Sequence, residues 1–204
     1  MRKKNVAILI SGNGSNMAEL IKDMKKKNHP GKLTIVISDN KNALGIQKAK
    51  KLGCDTKIIE YKKFNSKNDF EVKIHSELKK NKIDIICLAG FMKILSANFI
   101  SFYESKILNI HPSLLPLFPG LDTHKRALNS GIRIHGATVH VVTEKVDKGK
   151  IIAQGVTYVK HKDTELSLSK RVLNIEHKLY KKALLNFLKK ECKPLLIIDK
   201  KLKR

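Results

Sequence analysis

The chain predicts an α/β fold with an open, doubly wound, mostly parallel sheet, and three observations carry that prediction. Short apolar runs alternate with stretches of helical periodicity through residue 111. Two of these runs, at residues 6–10 and 83–88, are hydrophobic at nearly every position, as strands covered on both faces are. Glycine-bearing polar segments follow the ends of such runs, which is where open α/β sheets bind ligands.

Taken in order, strands are expected at residues 6–10, 33–38, 56–61, 83–89 and 107–111. Helices are expected at 17–27, 43–52, 70–80 and 96–103; in the third, Phe70, Ile74 and Leu78 recur at every fourth position and share a face. The pattern changes after residue 120. A short helix is expected at 123–129, then two alternating strands, 135–143 and 150–159, joined by a charged loop at 144–149. A long helix over about 166–190 carries Leu168, Val172, Ile175, Leu179, Ala183 and Phe187 on one face, with Asp163 or Thr164 as its cap. Residues 194–198 either add an edge strand or cover the core.

Composition narrows the function. At 204 residues and 42% apolar content the chain can bury the core of one compact domain. No run approaches the roughly 20 apolar residues of a membrane span, and none resembles a signal-peptide core, so a cytoplasmic protein is expected. Cys54, Cys87 and Cys192 form no C-x-x-C pair, and neither a disulfide framework nor a cysteine zinc site follows. The balance of 42 Lys+Arg against 18 Asp+Glu, a net +24, raises the question of nucleic acid. Arginine, the residue suited to bidentate phosphate and guanine contacts, occurs only at positions 2, 126, 133, 171 and 204. The lysines are spread over the whole chain, so a solvated basic surface is favoured over a dedicated nucleic-acid partner.

Four segments hold the polar chemistry. SGNGSN at residues 11–16 follows the first strand and opens the first helix; its glycines expose amides beside a positive helix end, suited to a phosphate. It lacks the G-K-[ST] of a nucleotide loop, and Met17 stands where a dinucleotide fingerprint has its third glycine. The alternative is a plain turn capped by Ser15 or Asn16. AGFMKIL at 89–95 places Phe91, Met92, Ile94 and Leu95 after a glycine, either lining a pocket for a flat ring or packing the core. In ILNIHPSLLPLFPG, residues 107–120, Asn109 and His111 stand two apart on one strand face, and Pro112 ends the ladder. An amide donor beside an imidazole serves where a carbonyl becomes an oxyanion and a proton moves, although a lone strand histidine is also often structural. In HGATVHVVTEKVDKGK, residues 135–150, Asp147 sits in a loop where it can orient an imidazole and favour its protonated form. His135 and His140 are five apart and read as structural residues on opposite faces, with no shared metal site.

These segments, together with LLPLFPGLDTHKRAL and the late IEHKLY, resemble the folate-dependent phosphoribosylglycinamide formyltransferases of the formyltransferase superfamily, over residues 5 to about 190. The resemblance implies a Rossmann-like formyltransferase fold in a single domain, 1–204. Within it, 1–111 would be the phosphate-binding half, 112–192 the folate loop, strands and long helix, and 193–204 a basic tail. It implies formyl transfer from 10-formyltetrahydrofolate, as co-substrate, to the amine of glycinamide ribonucleotide, with no metal and as a monomer or weak homodimer. The catalytic trio falls on Asn109, His111 and Asp147, with His111 protonated. The substrate-binding residues fall on Gly14, Ser15, Asn16 and Glu176. The folate-binding residues fall on Lys67, Met92, Lys93, Ile94, Leu95 and Asn109.

Lys67 and Lys93 stand where the family usually has arginine, and Lys148 and Lys150 replace a usual glycine and proline. A formyltetrahydrofolate hydrolase, expected to need a further N-terminal domain, and a methionyl-tRNA formyltransferase, expected to need a further C-terminal one, are alternatives within the superfamily. A basic nucleic-acid-binding protein is the alternative outside it.

Overall fold

A computed structural model describes residues 2–191 and 195–199. Among the described residues eight strands, mostly parallel, and their flanking helices form an α/β fold. The chain divides into two compact units, Met1–Asn109 and Ile110–Arg204.

The first unit contains β1 (Lys4–Ile10), α1 (Ser15–Met24), β2 (Gly31–Ser38), α2 (Leu44–Lys51), β3 (Thr56–Ile58), α3 (Lys67–Lys80), β4 (Ile85–Leu88) and α4 (Ala97–Phe102). Its last strand, β5 (Ile107–His111), runs on into the second unit. The strand order β3-β2-β1-β4-β5 is parallel throughout. β1 is central, and Val6, Ala7, Ile8, Leu9 and Ile10 are all fully buried, which explains the unbroken apolar run. The connections leave β1 on one side for β2 and β3 and return on the other for β4. The order therefore reverses between β1 and β4, so the loops after these strands lie at a topological switch point.

Two expected boundaries move for local reasons. β3 stops at Ile58 instead of reaching residue 61, because Tyr61 enters a 3-10 turn (Tyr61–Lys63) and packs edge-on against Phe70, ring centroids 5.0 Å apart. α3 begins at Lys67, earlier than its apolar stripe suggests, because Ser66 caps it by accepting the Asp69 N–H. Phe70, Ile74 and Leu78 line its buried face as expected.

The second unit contains α5 (Thr123–Asn129), β6 (Ile134–Val141), β7 (Ile151–Tyr158), α6 (Glu165–Leu188) and β8 (Leu195–Ile198). β6 and β7 pair antiparallel, and β8 adds in parallel to β7. The last segment is thus a strand; Pro194, Cys192 and residues 200–204 of the expected tail lie outside the described residues. Thr164, not Asp163, caps α6, in a reciprocal pair with Ser167. Leu168, Val172, Ile175, Leu179 and Ala183 are buried along the helix, while Phe187 is only partly so.

Candidate active site

In the first unit the Ser11–Asn16 loop turns on Gly14, whose φ of 66° puts it in the left-handed region at the N-cap of α1. A side chain there would meet the Gly45 Cα at 2.8 Å, so the two glycines let the loop and α2 touch. The Gly45 N–H donates to Gly12 O at 3.0 Å. Lys48 Nζ donates to Asn13 O at 2.9 Å and also bonds Asn13 Oδ1. No side chain caps α1, so the reading of Ser15 or Asn16 as its cap is corrected: the cap position is Gly14. The first-turn amides and the dipole together favour an anion there.

The loop after β4 is tied to this one. Ser11 N–H donates to Gly90 O at 3.0 Å, and Met92 N–H donates to Ser11 Oγ at 2.8 Å. Gly90 takes the positive φ its position suggested, 75°. Beside it a cavity of about 270 Å³ is lined by Tyr61, Lys67, Phe70, Glu71, Met92, Lys93 and Ile94. Met92 and Ile94 are exposed, whereas Phe91 and Leu95 belong to the core. Lys93 Nζ lies 4.4 Å from the Tyr61 ring centroid and 3.8 Å from Asp39 Oδ2. Lys67 Nζ is 4.0 Å from Glu71 Oε1, and buried Glu71 also accepts the Ser96 N–H at 2.8 Å. The segment therefore does both: Phe91 and Leu95 at its ends pack inward, and the three residues between them line the cavity.

β5 carries half-buried Asn109, and two residues later buried His111. His111 Nδ1 lies 3.4 Å from Asp147 Oδ2, and its Nε2 lies 2.9 Å from Phe118 O. The same carboxylate oxygen accepts the Gly120 N–H at 2.8 Å. Its other oxygen, Oδ1, is 3.5 Å from His140 Nε2. Phe118, Asp122 and Asp147 all have left-handed φ, 52°, 56° and 54°. Each such conformation costs about 1–2 kcal/mol in an L-residue, so the surrounding contacts hold these loops in shape.

Burial pushes the His111 pKa below the usual histidine value; the Phe118 carbonyl and Asp147 oppose it, and His140 and Arg126 reinforce it. Asp147 does favour the imidazolium, but burial outweighs it and the His111 pKa lies below its ordinary value. Burial would also raise Asp147, but the His140 ring, the Gly120 N–H and His111 outweigh it and hold the carboxyl below its ordinary range. Behind His111, the His135 ring packs against His124 and Phe118, centroids 5.4 and 6.0 Å apart. Burial and His124 push His135 down to about 4. Glu176 is buried on α6.

Among the described residues no group of three or more His, Cys, Asp or Glu side chains is arranged to hold a metal ion. The sequence reading passed over Lys48, Glu71 and the engagement of His140 with Asp147. Each depends on a contact across many residues, and spacing carries no signal for it.

Residues 4–184 match the family model described as formyl transferase. The chain is 44% identical over 183 residues to the trifunctional purine biosynthetic protein adenosine-3 of Homo sapiens, covering 90% of this chain and 18% of that protein. The chain thus spans less than a fifth of that relative's length. It is 39% identical over 176 residues to the phosphoribosylglycinamide formyltransferase of Escherichia coli (strain K12), covering 86% of this chain and 83% of that one. The crystal structure of phosphoribosylglycinamide formyltransferase from Brucella melitensis superposes with a TM-score of 0.89 at 48% identity, over 92% of this chain and 96% of that chain.

Proposed function

The chain belongs to the formyl transferase family, and on that premise we propose that it moves a formyl group from 10-formyltetrahydrofolate to the primary amine of glycinamide ribonucleotide, a step of purine biosynthesis. The observation that carries this reading is the buried His111–Asp147 pair at the end of β5, two residues beyond an amide side chain.

The neutral amine attacks the formyl carbon, and its carbonyl oxygen becomes an oxyanion that the Asn109 amide stabilises. His111, held neutral by burial, takes the proton released from the attacking nitrogen. Asp147 then stabilises the imidazolium, and His111 returns the proton to N10 of the folate as the C–N bond to the formyl carbon breaks. The protons balance and the chemistry calls for no metal. The Phe118 carbonyl at His111 Nε2 must give way when substrate arrives, because that nitrogen is the one turned away from Asp147.

Gly14, Ser15 and Asn16 hold the ribonucleotide phosphate through the α1 amides, and Glu176 contacts the same substrate. Lys67, Met92, Lys93, Ile94 and Asn109 hold the folate, above a Leu95 that packs into the core, with the lysines facing its carboxylates as point charges where arginine would grip in a fork. The protein works in the cytoplasm as a monomer or weak homodimer, which gel filtration over a concentration series checks.

The direct test incubates the purified protein with both substrates and follows formylated ribonucleotide and tetrahydrofolate. Absence of both products at high enzyme concentration would overturn the reading. Hydrolysis of the folate without formylation of the amine would favour the hydrolase.

A further inference from the structure

His140 does not touch the reacting atoms in the mechanism above, yet it engages the one carboxylate on which that mechanism depends. Its side chain is 2% exposed, and each ring nitrogen faces an acceptor: Nδ1 lies 3.0 Å from Val141 O, and Nε2 lies 3.5 Å from Asp147 Oδ1. Asp147 sits on a left-handed backbone in a loop between β6 and β7. Its Oδ2 has two partners, the Gly120 N–H and His111 Nδ1. A carboxylate held by one oxygen can turn about its last bond, and a buried second oxygen without a donor is costly.

We propose that His140 is a positioning residue for formyl transfer: by occupying Asp147 Oδ1 it locks the carboxylate with Oδ2 turned to His111 Nδ1. The inference rests on the functional reading above only for its kinetic consequence; the geometric part concerns the free protein.

The groups that face this pair come from every neighbouring element. His111 is faced by Asp147, His140 and Arg126, by His124 of α5 and His135 of β6, and by the Phe118 carbonyl. Asp147 is faced by His140, His111 and the Gly120 amide. Among these, His140 holds the Asp147 carboxyl down through its hydrogen bond, and Asp147 in turn supports the cationic form of His111. Removing His140 frees the carboxylate to turn away, so the Asp147 carboxyl rises while His111 loses that support and falls. Because His111 must be neutral to take the proton, the acid limb of the rate profile moves to lower pH with it.

The test compares wild type, His140→Leu and His140→Gln, the glutamine amide being able to reach where Nε2 lies. In formyl-transfer kinetics, His140→Leu lowers kcat on the order of tenfold or more with both KM values within about twofold, the signature of a misplaced group. Its acid limb shifts downward, and His140→Gln recovers most of both effects. In parallel, NMR titration of the His111 ring in the free proteins shows a lower midpoint in His140→Leu than in wild type. Equal impairment of the two variants, or a wild-type profile and an unmoved His111 midpoint in His140→Leu, overturns the proposal. Should His140→Leu not fold, His140→Asn takes its place, since its shorter amide cannot span to Asp147. If the wild type transfers no formyl group, the functional reading fails, and the NMR comparison still decides the role of His140.

Discussion

Asp147 and His111 are 36 positions apart in the chain, yet Asp147 Oδ2 rests 3.4 Å from His111 Nδ1, with both side chains less than a tenth exposed. The Gly120 N–H fixes that oxygen at 2.8 Å, so the pair is held from two sides before any substrate arrives. A carboxylate so placed opposes the effect of burial on the imidazole and supports the cation formed when His111 takes a proton.

Removing either member should abolish most turnover while leaving the fold intact. His111→Ala and Asp147→Asn are each expected to lower kcat by about a hundredfold or more, the scale of a lost acid–base group. Steady-state kinetics with circular dichroism as the folding control checks this. Near-wild-type turnover in either variant removes the pair from the mechanism.

The pH profile follows from the directions of the shifts. His111 titrates below its ordinary value, so it stays neutral, as a base must be, until the pH falls below about 6.5. Asp147 is also depressed and remains ionised through that window. The acid limb of kcat/KM should thus lie below pH 6.5. A limb at or above that value would mean that the active-site histidine is cationic near neutrality.

His135 gives a stability prediction. Burial lowers its folded pKa to about 4, whereas the unfolded chain takes up the proton near 6.5. Between those values the unfolded state binds more protons, so stability falls as the pH drops from about 6.5 to about 4 and levels off below. The contribution is about 3 kcal/mol at most. Urea titrations at pH 7, 5.5 and 4 should show a smaller loss for His135→Phe than for wild type.

Gly14→Ala should damage both loop and stability. The new side chain would take a left-handed φ of 66° and meet the Gly45 backbone at 2.8 Å. The strain alone costs about 1–2 kcal/mol, which in a chain of this size lowers Tm by about 2–8 °C. The KM for the phosphate-bearing substrate should rise more than the KM for folate.

Lys67→Arg and Lys93→Arg, singly and together, probe the cavity of the first unit. A planar fork suits a carboxylate better than an ammonium, so the folate KM should fall, while Lys67→Ala or Lys93→Ala raises it about fivefold with kcat little changed. An unchanged folate KM in all five variants would separate the cavity from folate binding.

Most of the framework was legible because it depends on local periodicity. The 6–10 run, the Phe70, Ile74 and Leu78 stripe and the face of α6 from Leu168 to Ala183 are each buried as their spacing requires. The errors lie where tertiary contacts overrode local pattern. β3 is shortened by the packing of Tyr61 on Phe70, and the α1 cap fell to Gly14 because Gly45 presses against it. Asn109 and His111 both lie on β5, and the rule that residues two apart in a strand share a face, which singled them out, is internal to the chain.

The sequence by itself determined the order of strands and helices, the polar strand ends and the identity of the side chains available for chemistry. Only the tertiary structure decided that Asp147 meets His111 and His140 at once, that burial outweighs Asp147 in setting the charge of His111, and that Lys48 reaches back to Asn13. The reason is physical. Periodicity reports which face of an element is buried, whereas a proton's energy depends on the few groups that folding brings within about 4 Å of it, wherever in the chain they begin.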